Sequence, residues 1–230
     1  GTPIGKLNTA MDETIEALKS LAKSNADALL KIAVLEFNSG CKWLNNNGPE
    51  EMEDFIWSKL SAGGLTDVGA ALKELNSKLS KDQFLNSMTG AYLPVIIFMT
   101  DGCATDNYEK SLAEIRENKW FARATKIGFA IGDNPDLKMI SEVVGNSEAV
   151  IKTDDLDLFA RLIKFASVTA SMLASQSKTS TDVPTGKDVV ALYKKENPDD
   201  KDKISLDKKE VPFYHAEPDF DFIDDDEEWG

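Results

Sequence analysis

The sequence predicts an α/β fold: a Rossmann-like, mainly parallel sheet with helices on both faces and one antiparallel edge strand. Three observations lead there. Helical and strand patterns alternate up to about Ala174. The run Val95–Met99 is apolar throughout, too short for a typical helix and rich in β-branched and aromatic residues, which suits a strand buried on both faces of a parallel sheet. That run stops on Thr100-Asp101-Gly102, a carboxylate and a turn where the strand leaves the core. Ligand crevices in open parallel sheets lie at the C-terminal strand ends, so Asp101 sits where a site is expected. An aspartate that only caps the turn is the other reading of the same residues.

Gly1–Gly5 is loop-like, and Leu7, Ala10, Met11, Thr14, Leu18, Leu21 and Ala22 then share one helical face. A strand follows over Leu29–Phe37, and Asn38-Ser39-Gly40 turns it into a shorter strand at Cys41–Leu44, a hairpin placed at the sheet edge. After the loop Asn45–Pro49, the spacing of Met52, Phe55, Ile56 and Leu60 predicts a short helix over Glu50–Leu60. Ala62–Gly69, read A-G-G-L-T-D-V-G, is a loop entering a helix that carries Ala71, Leu72, Leu75 and Leu79, with Thr66 or Asp67 as its natural N-cap. The Pro94 strand comes next, expected in the middle of the sheet. A helix near Tyr108–Glu117, a strand at Thr125–Ile131 and a helix at Asp136–Val144 follow. A strand at Ala149–Ile151 then leads to Asp154-Asp155, which caps a long helix from Leu156 to about Ala174. This alternation implies right-handed crossovers. Residues 1–177 read as one domain. Residues 178–230 read as a linker and a largely disordered acidic tail, with a short helix at Lys187–Glu196 broken by Asn197-Pro198.

Composition narrows the function classes. Of 230 residues, 42% are hydrophobic and 29% charged, as in ordinary globular proteins. No apolar stretch is long enough to span a membrane and no signal-like N-terminus is visible, so a cytoplasmic protein is expected. Two cysteines, Cys41 and Cys103, make no disulfide scaffold, and one histidine, His215, makes zinc improbable. The net charge of −14 argues against nucleic acid as a partner. Much of that charge lies in Glu217–Gly230, whose carboxylates alternate with Phe220, Phe222, Ile223 and Trp229. Such a segment suits either a solvated tail or one that folds onto a groove of a partner or of its own domain.

G-T-P-I-G-K-L-N before the first helix, G-G-L-T-D-V-G-A-A-L in the middle and V-I-I-F-M-T-D-G at the central strand stand in an order that resembles a von Willebrand factor A domain. The final S-V-T-A-S-M-L-A-S-Q-S (Ser167–Ser177) makes the bacterial tellurite-resistance type the nearest relative, and the resemblance covers about Gly1–Ser177. It implies a metal-ion-dependent adhesion site at the C-terminal end of the sheet. The family builds that site from a D-x-S-x-S loop after the first strand, a threonine in a second loop and an aspartate after the central strand. Matched residue by residue, the threonine is Thr66 and the aspartate Asp101. The implied cofactor is Mg²⁺, with Mn²⁺ or Ca²⁺ as substitutes. Mg²⁺ takes octahedral oxygen ligands and keeps several waters, which leaves a position for a protein partner's carboxylate. The family's first strand and its D-x-S-x-S loop are not in this sequence and are expected immediately ahead of Gly1. Their absence weakens the metal site and opens the core along two strand edges. Asp219–Asp226 has no serine and too many charges to stand in for them.

The resemblance thus implies a non-enzymatic interaction module, linked in bacterial relatives to tellurite resistance and stress or defence. The competing readings are a Mg²⁺-dependent phosphotransfer or hydrolytic enzyme using Asp101 and Asp106, and a remnant that has lost its metal. Against the enzyme, the sequence has no G-x-x-x-x-G-K-[ST] loop, no G-x-S-x-G elbow and no histidine placed as a base. A receiver-like domain lacks its acidic residues and its late lysine. Asp106 and Asp133 read as turn formers or as support for the site. Cys103 reads as a small packing residue, and Trp57, Trp120 and Phe165 as core packing.

Overall fold

The computed structural model describes residues 3–24, 30–45, 48–86, 93–132, 135–153, 155–176 and 184–204. In chain order the elements begin with α1 (Pro3–Ser24), β1 (Lys31–Ile32), β2 (Leu35–Asn38), β3 (Gly40–Trp43) and β4 (Glu50–Glu51). They continue with α2 (Val68–Lys78), β5 (Val95–Thr100), α3 (Tyr108–Arg116), α4 (Lys119–Arg123), β6 (Thr125–Ile131) and α5 (Leu137–Val144). The last are β7 (Val150–Thr153), α6 (Leu156–Gln176) and α7 (Gly186–Glu196), with 3-10 turns at Ser147–Ala149 and Pro198–Lys203. Asp133, His215 and the acidic segment Glu217–Gly230 lie outside the described residues.

The α/β class holds. β5, β6 and β7 form a parallel three-stranded sheet in that order, and helices cover both faces. Strand alternation sorts the two cores. Ile127, Phe129 and Ile131 of β6 face α1, α6 and α7, in a cluster with Met11, Ile15, Leu158, Phe159 and Leu162. Ala130 and Val150 face the other way, with Leu72, Leu112, Ile115, Met139 and Ile140 of α2, α3 and α5. Trp120 is buried in this second core, and Phe165 packs edge-on against Tyr193, ring centroids 5.0 Å apart.

Several expectations need correction. Val95–Thr100 is not central: among the described residues β5 is an edge strand of the parallel sheet, paired only with β6. Its two-faced apolar pattern reports walls on both sides, and says nothing about which edges are hydrogen-bonded. The hairpin β2–β3 forms as expected, but as a separate antiparallel pair, and the Leu29–Phe37 strand is split, with Lys31–Ile32 paired to Glu50–Glu51 instead.

The helix expected at Glu50–Leu60 is absent. After β4 there is one hydrogen-bonded turn, Phe55 N–H to Glu51 C=O, and the chain then runs extended. The cause is tertiary. The Asn8 side chain on α1 holds both the Leu60 N–H (2.9 Å) and the Leu60 C=O (2.9 Å), and also accepts from Trp57 Nε1 (3.3 Å). Met52 and Phe55 still reach the core, whereas Ile56 is left 79% exposed.

The boundary near 178 also needs correction. The helix at Gly186–Glu196 forms, with a Thr185–Asp188 capping box. Rather than belonging to a linker, it is part of the core: Val189, Val190 and Tyr193 are buried with α6, and so is Ile204 beyond it. Gly186 meets β6 so closely that a β-carbon there would lie 1.8 Å from the Lys126 carbonyl oxygen. Replacing Gly186 by alanine is therefore expected to destabilise the domain by at least the ~1–3 kcal/mol typical of overpacking. Urea unfolding followed by circular dichroism checks this; an unchanged midpoint would separate α7 from the fold.

Candidate functional site

At the end of β5 the Thr100 hydroxyl accepts the Gly102 N–H (3.2 Å), which turns the chain so that Asp101 stands exposed. Beside it runs the loop that enters α2. The two loops are zipped together. Thr66 N–H donates to the Thr105 hydroxyl (2.9 Å), and Thr105 N–H donates back to the Thr66 carbonyl (2.9 Å). Gly102 fits beneath the threonine because it has no side chain; a β-carbon there would lie 2.9 Å from Thr66 Oγ1.

Two further aspartates hold this arrangement. Asp67 accepts the Thr105 hydroxyl (3.1 Å) and the Gly40 N–H (2.7 Å), while its own N–H donates to the Asn38 carbonyl (3.0 Å). It thereby ties the hairpin to both loops. Asp106 accepts from Gly69 N–H and Ala70 N–H, both at 3.0 Å. Those are first-turn amides of α2, which a helix leaves unpaired. The N-cap residue is Asp67, but its side chain makes no cap bond, because Asp106 does that work from the other loop.

Thr66 and Asp101, the two residues singled out from the sequence, thus lie on adjoining loops at one end of the sheet. Both line the end of a cleft of about 1120 Å³ that runs between β2 and β5. Among the described residues neither the Thr66 hydroxyl nor the Asp101 carboxylate has a hydrogen-bond partner, so both oxygens are available to a ligand. Leu65, next to them, is 58% exposed. A hydroxyl and a carboxylate are the hard oxygen donors that Mg²⁺, Mn²⁺ or Ca²⁺ take. They fit part of such a shell and no more. Among the described residues there is no group of three or more His, Cys, Asp or Glu side chains able to hold a metal ion.

The cysteines differ in setting. Cys103 is exposed in the Asp101 loop. Cys41 is half-buried against α2 with its Sγ donating to the Ala70 carbonyl (3.6 Å). Burial, reinforced by Glu74 and Asp67, pushes its thiol above the ordinary range.

Sequence reasoning found the two residues with free oxygens and missed most of the frame. Asp106 was placed correctly as a turn or supporting residue, but nothing local indicates that it caps a helix lying 36 residues back. Asp67 was expected as an N-cap and holds that position, but its carboxylate turns to Gly40 and Thr105 instead; Thr105 and Ser39, whose hydroxyl accepts the Leu65 N–H (3.1 Å), gave no usable signal.

No family model matches the chain, and no curated protein matches it. Among solved structures it is similar to a von Willebrand factor type A structure from Catenulispora acidiphila, at 17% identity and a TM-score of 0.47, over 69% of this chain and 38% of that one. It is also similar to proximal thread matrix protein 1 from the mussel byssus, at 17% identity and a TM-score of 0.45, over 66% of this chain and 41% of that one. A form of the mussel protein with a zinc-occupied MIDAS motif gives 18% identity and a TM-score of 0.45, over 66% and 42% of the two chains. The chain spans about two fifths of the length of these structures.

Two outcomes follow from this geometry. Asp106→Ala strands two α2 amides and is expected to lower stability by about 1–2 kcal/mol, seen as a lower urea midpoint at unchanged slope. Under limiting alkylating reagent at pH 8, Cys103 is expected to be modified well before Cys41. Equal rates by peptide mapping would contradict the burial of Cys41.

Proposed function

We propose that this chain is a non-enzymatic protein-interaction module of the von Willebrand factor A type, binding partners through a divalent cation held at Thr66 and Asp101. One observation carries the reading: a threonine hydroxyl and an aspartate carboxylate, both free of internal hydrogen bonds, stand on two loops locked to each other at the mouth of the cleft. The resemblance in the sequence supplies the rest. It makes the cation Mg²⁺, with Mn²⁺ or Ca²⁺ as substitutes, and in the family the remaining ligands come from a D-x-S-x-S loop. When bound, the cation offers an open position to a carboxylate of the partner. Thr66 and Asp101 orient it, Thr105 and Asp67 fix the spacing of the two loops, and the exposed Leu65 offers an apolar contact beside the charge. The tellurite-resistance type sets this in a bacterial stress or defence context, within the cytoplasm.

The enzyme reading needs Asp101 and Asp106 to act as a pair on Mg²⁺. The Asp106 carboxylate is engaged by the α2 amides through both oxygens, which favours the interaction module.

With two protein donors among the described residues, cation binding is expected to be weak, on the order of millimolar. Titration with Mn²⁺, followed by paramagnetic broadening of the Thr66–Asp67 and Asp101–Cys103 amides, should show it. Thr66→Val and Asp101→Asn should each weaken it by about tenfold or more. Broadening that is unchanged in both variants sinks the assignment.

A further inference from the structure

A second, smaller cleft lies against the one that holds Thr66 and Asp101. Its volume is about 480 Å³, within the ~300–1,000 Å³ of small-ligand sites. One wall is the β2–β3 hairpin, with Glu36, Asn38, Ser39 and Lys42; the other is the extended segment from Ser58 to Gly64. Asn38 and Ser61–Gly64 line both spaces, so they form the partition between them. Neither Thr66 nor Asp101 lines the smaller cleft.

The partition is anchored at both ends. Asn8 holds the N–H and the C=O of Leu60, and the Ser39 hydroxyl accepts the Leu65 N–H (3.1 Å). Gly64 lies tight against the hairpin turn: a β-carbon on it would stand 3.1 Å from Asn38 Cβ and 3.2 Å from the Ser39 backbone nitrogen. Between the anchors, the exposed amides of Ser61, Ala62, Gly63 and Gly64 donate to no acceptor among the described residues. The side chains add more donors. The hydroxyls of Ser58 and Ser61, the Asn38 amide and the Lys59 ammonium have no partner among the described residues. Ser39 accepts through its oxygen and keeps its own proton to give. Glu36 is the one acid in the lining, and it is paired to Lys42 at 3.0 Å. Two ammonium groups against one carboxylate make this cleft locally positive in a chain of net charge −14.

We infer that this cleft binds a small phosphomonoester, with the phosphoryl group on the Ser61–Gly64 amides and Lys59. A phosphoryl group brings about −1.5 to −2 charges and three strong acceptor oxygens. Such a group suits a place where backbone amides, hydroxyls and an uncommitted ammonium converge without competing acceptors. A carboxylate offers fewer oxygens to the same donors, and a neutral polyol leaves Lys59 without a counter-charge. The remaining volume takes a polar body, whose hydroxyls can donate to Glu36 and to the Asn38 side-chain oxygen. Lys42 stays on Glu36 and contributes from a distance. The inference goes beyond the proposed cation site and does not depend on it.

The test is an amide-resolved NMR titration of the full chain with glycerol 3-phosphate, in metal-free buffer at constant ionic strength, beside glycerol and glutarate. Saturable shifts of the Ser39 and Ser61–Gly64 amides are expected, with a Kd on the order of 1 mM, and neither control compound should produce them. Lys59→Gln should weaken binding about fivefold or more, whereas Lys59→Arg should stay within about twofold of the unaltered chain. Lys119→Gln, which removes an exposed lysine on α4, should change nothing. The absence of saturable shifts at these amides, an equal response to glutarate, or equal loss in Lys59→Gln and Lys119→Gln overturns the proposal. So does unchanged binding in Lys59→Gln. No divalent cation is present, so this result and the Mn²⁺ titration of Thr66 and Asp101 succeed or fail separately.

Discussion

Among the described residues the apolar strand β5 is hydrogen-bonded along one edge only, and the rest of this structure turns on that constraint. Every residue of Val95–Met99 carries a side chain that belongs in a core. α1 and α6 cover one face of the strand and α2 the other, yet among the described residues one row of its backbone groups has no ladder. Unpaired backbone groups beside apolar walls are costly unless water or another strand reaches them. Among the described residues, the cleft between β2 and β5 is where those groups lie.

The candidate site depends on the same strand. Asp101 is presented because β5 ends there, and Thr66 is held opposite because the loop before α2 is stitched to the turn after β5 and to the hairpin. Asp67 and Asp106 contribute by accepting backbone and hydroxyl protons from elements far apart in sequence. The free oxygens of Thr66 and Asp101 are thus a consequence of division of labour: the neighbouring acids and Thr105 satisfy the loops, so these two need not. A frame bonded within itself that leaves two ligand oxygens open is what the proposed binding role asks for.

How much of this was legible differs from element to element. β6, α2, α3, α5 and α6 were readable because each carries its own period of burial, and Asp136, which accepts the Met139 N–H (2.9 Å), marks its helix start as a cap should. The Glu50–Leu60 segment was misread because its apolar spacing suits a helix, while the decisive bonds come from Asn8, more than 40 residues away. α7 was undervalued because its buried residues, Val189, Val190 and Tyr193, stand among lysines and acids, and its docking depends on Gly186 meeting the β6 backbone. The edge position of β5 was not legible in its own residues, since apolar side chains record what lies above and below a strand and are silent about its flanks; the resemblance alone implied an opened edge. At the site, the residues at element junctions could be found from sequence, whereas the cross-loop bonds that hold them could not.

Residue-resolved amide hydrogen exchange on the 230-residue chain tests the central claim most directly. If β5 is paired on one edge and faces an open cleft on the other, amides of Val95–Thr100 should alternate, those directed at β6 strongly protected and those directed at the cleft exchanging far faster, while β6 is protected throughout. Uniform strong protection along Val95–Thr100 would contradict the account, because it would mean that both edges of the strand are already paired.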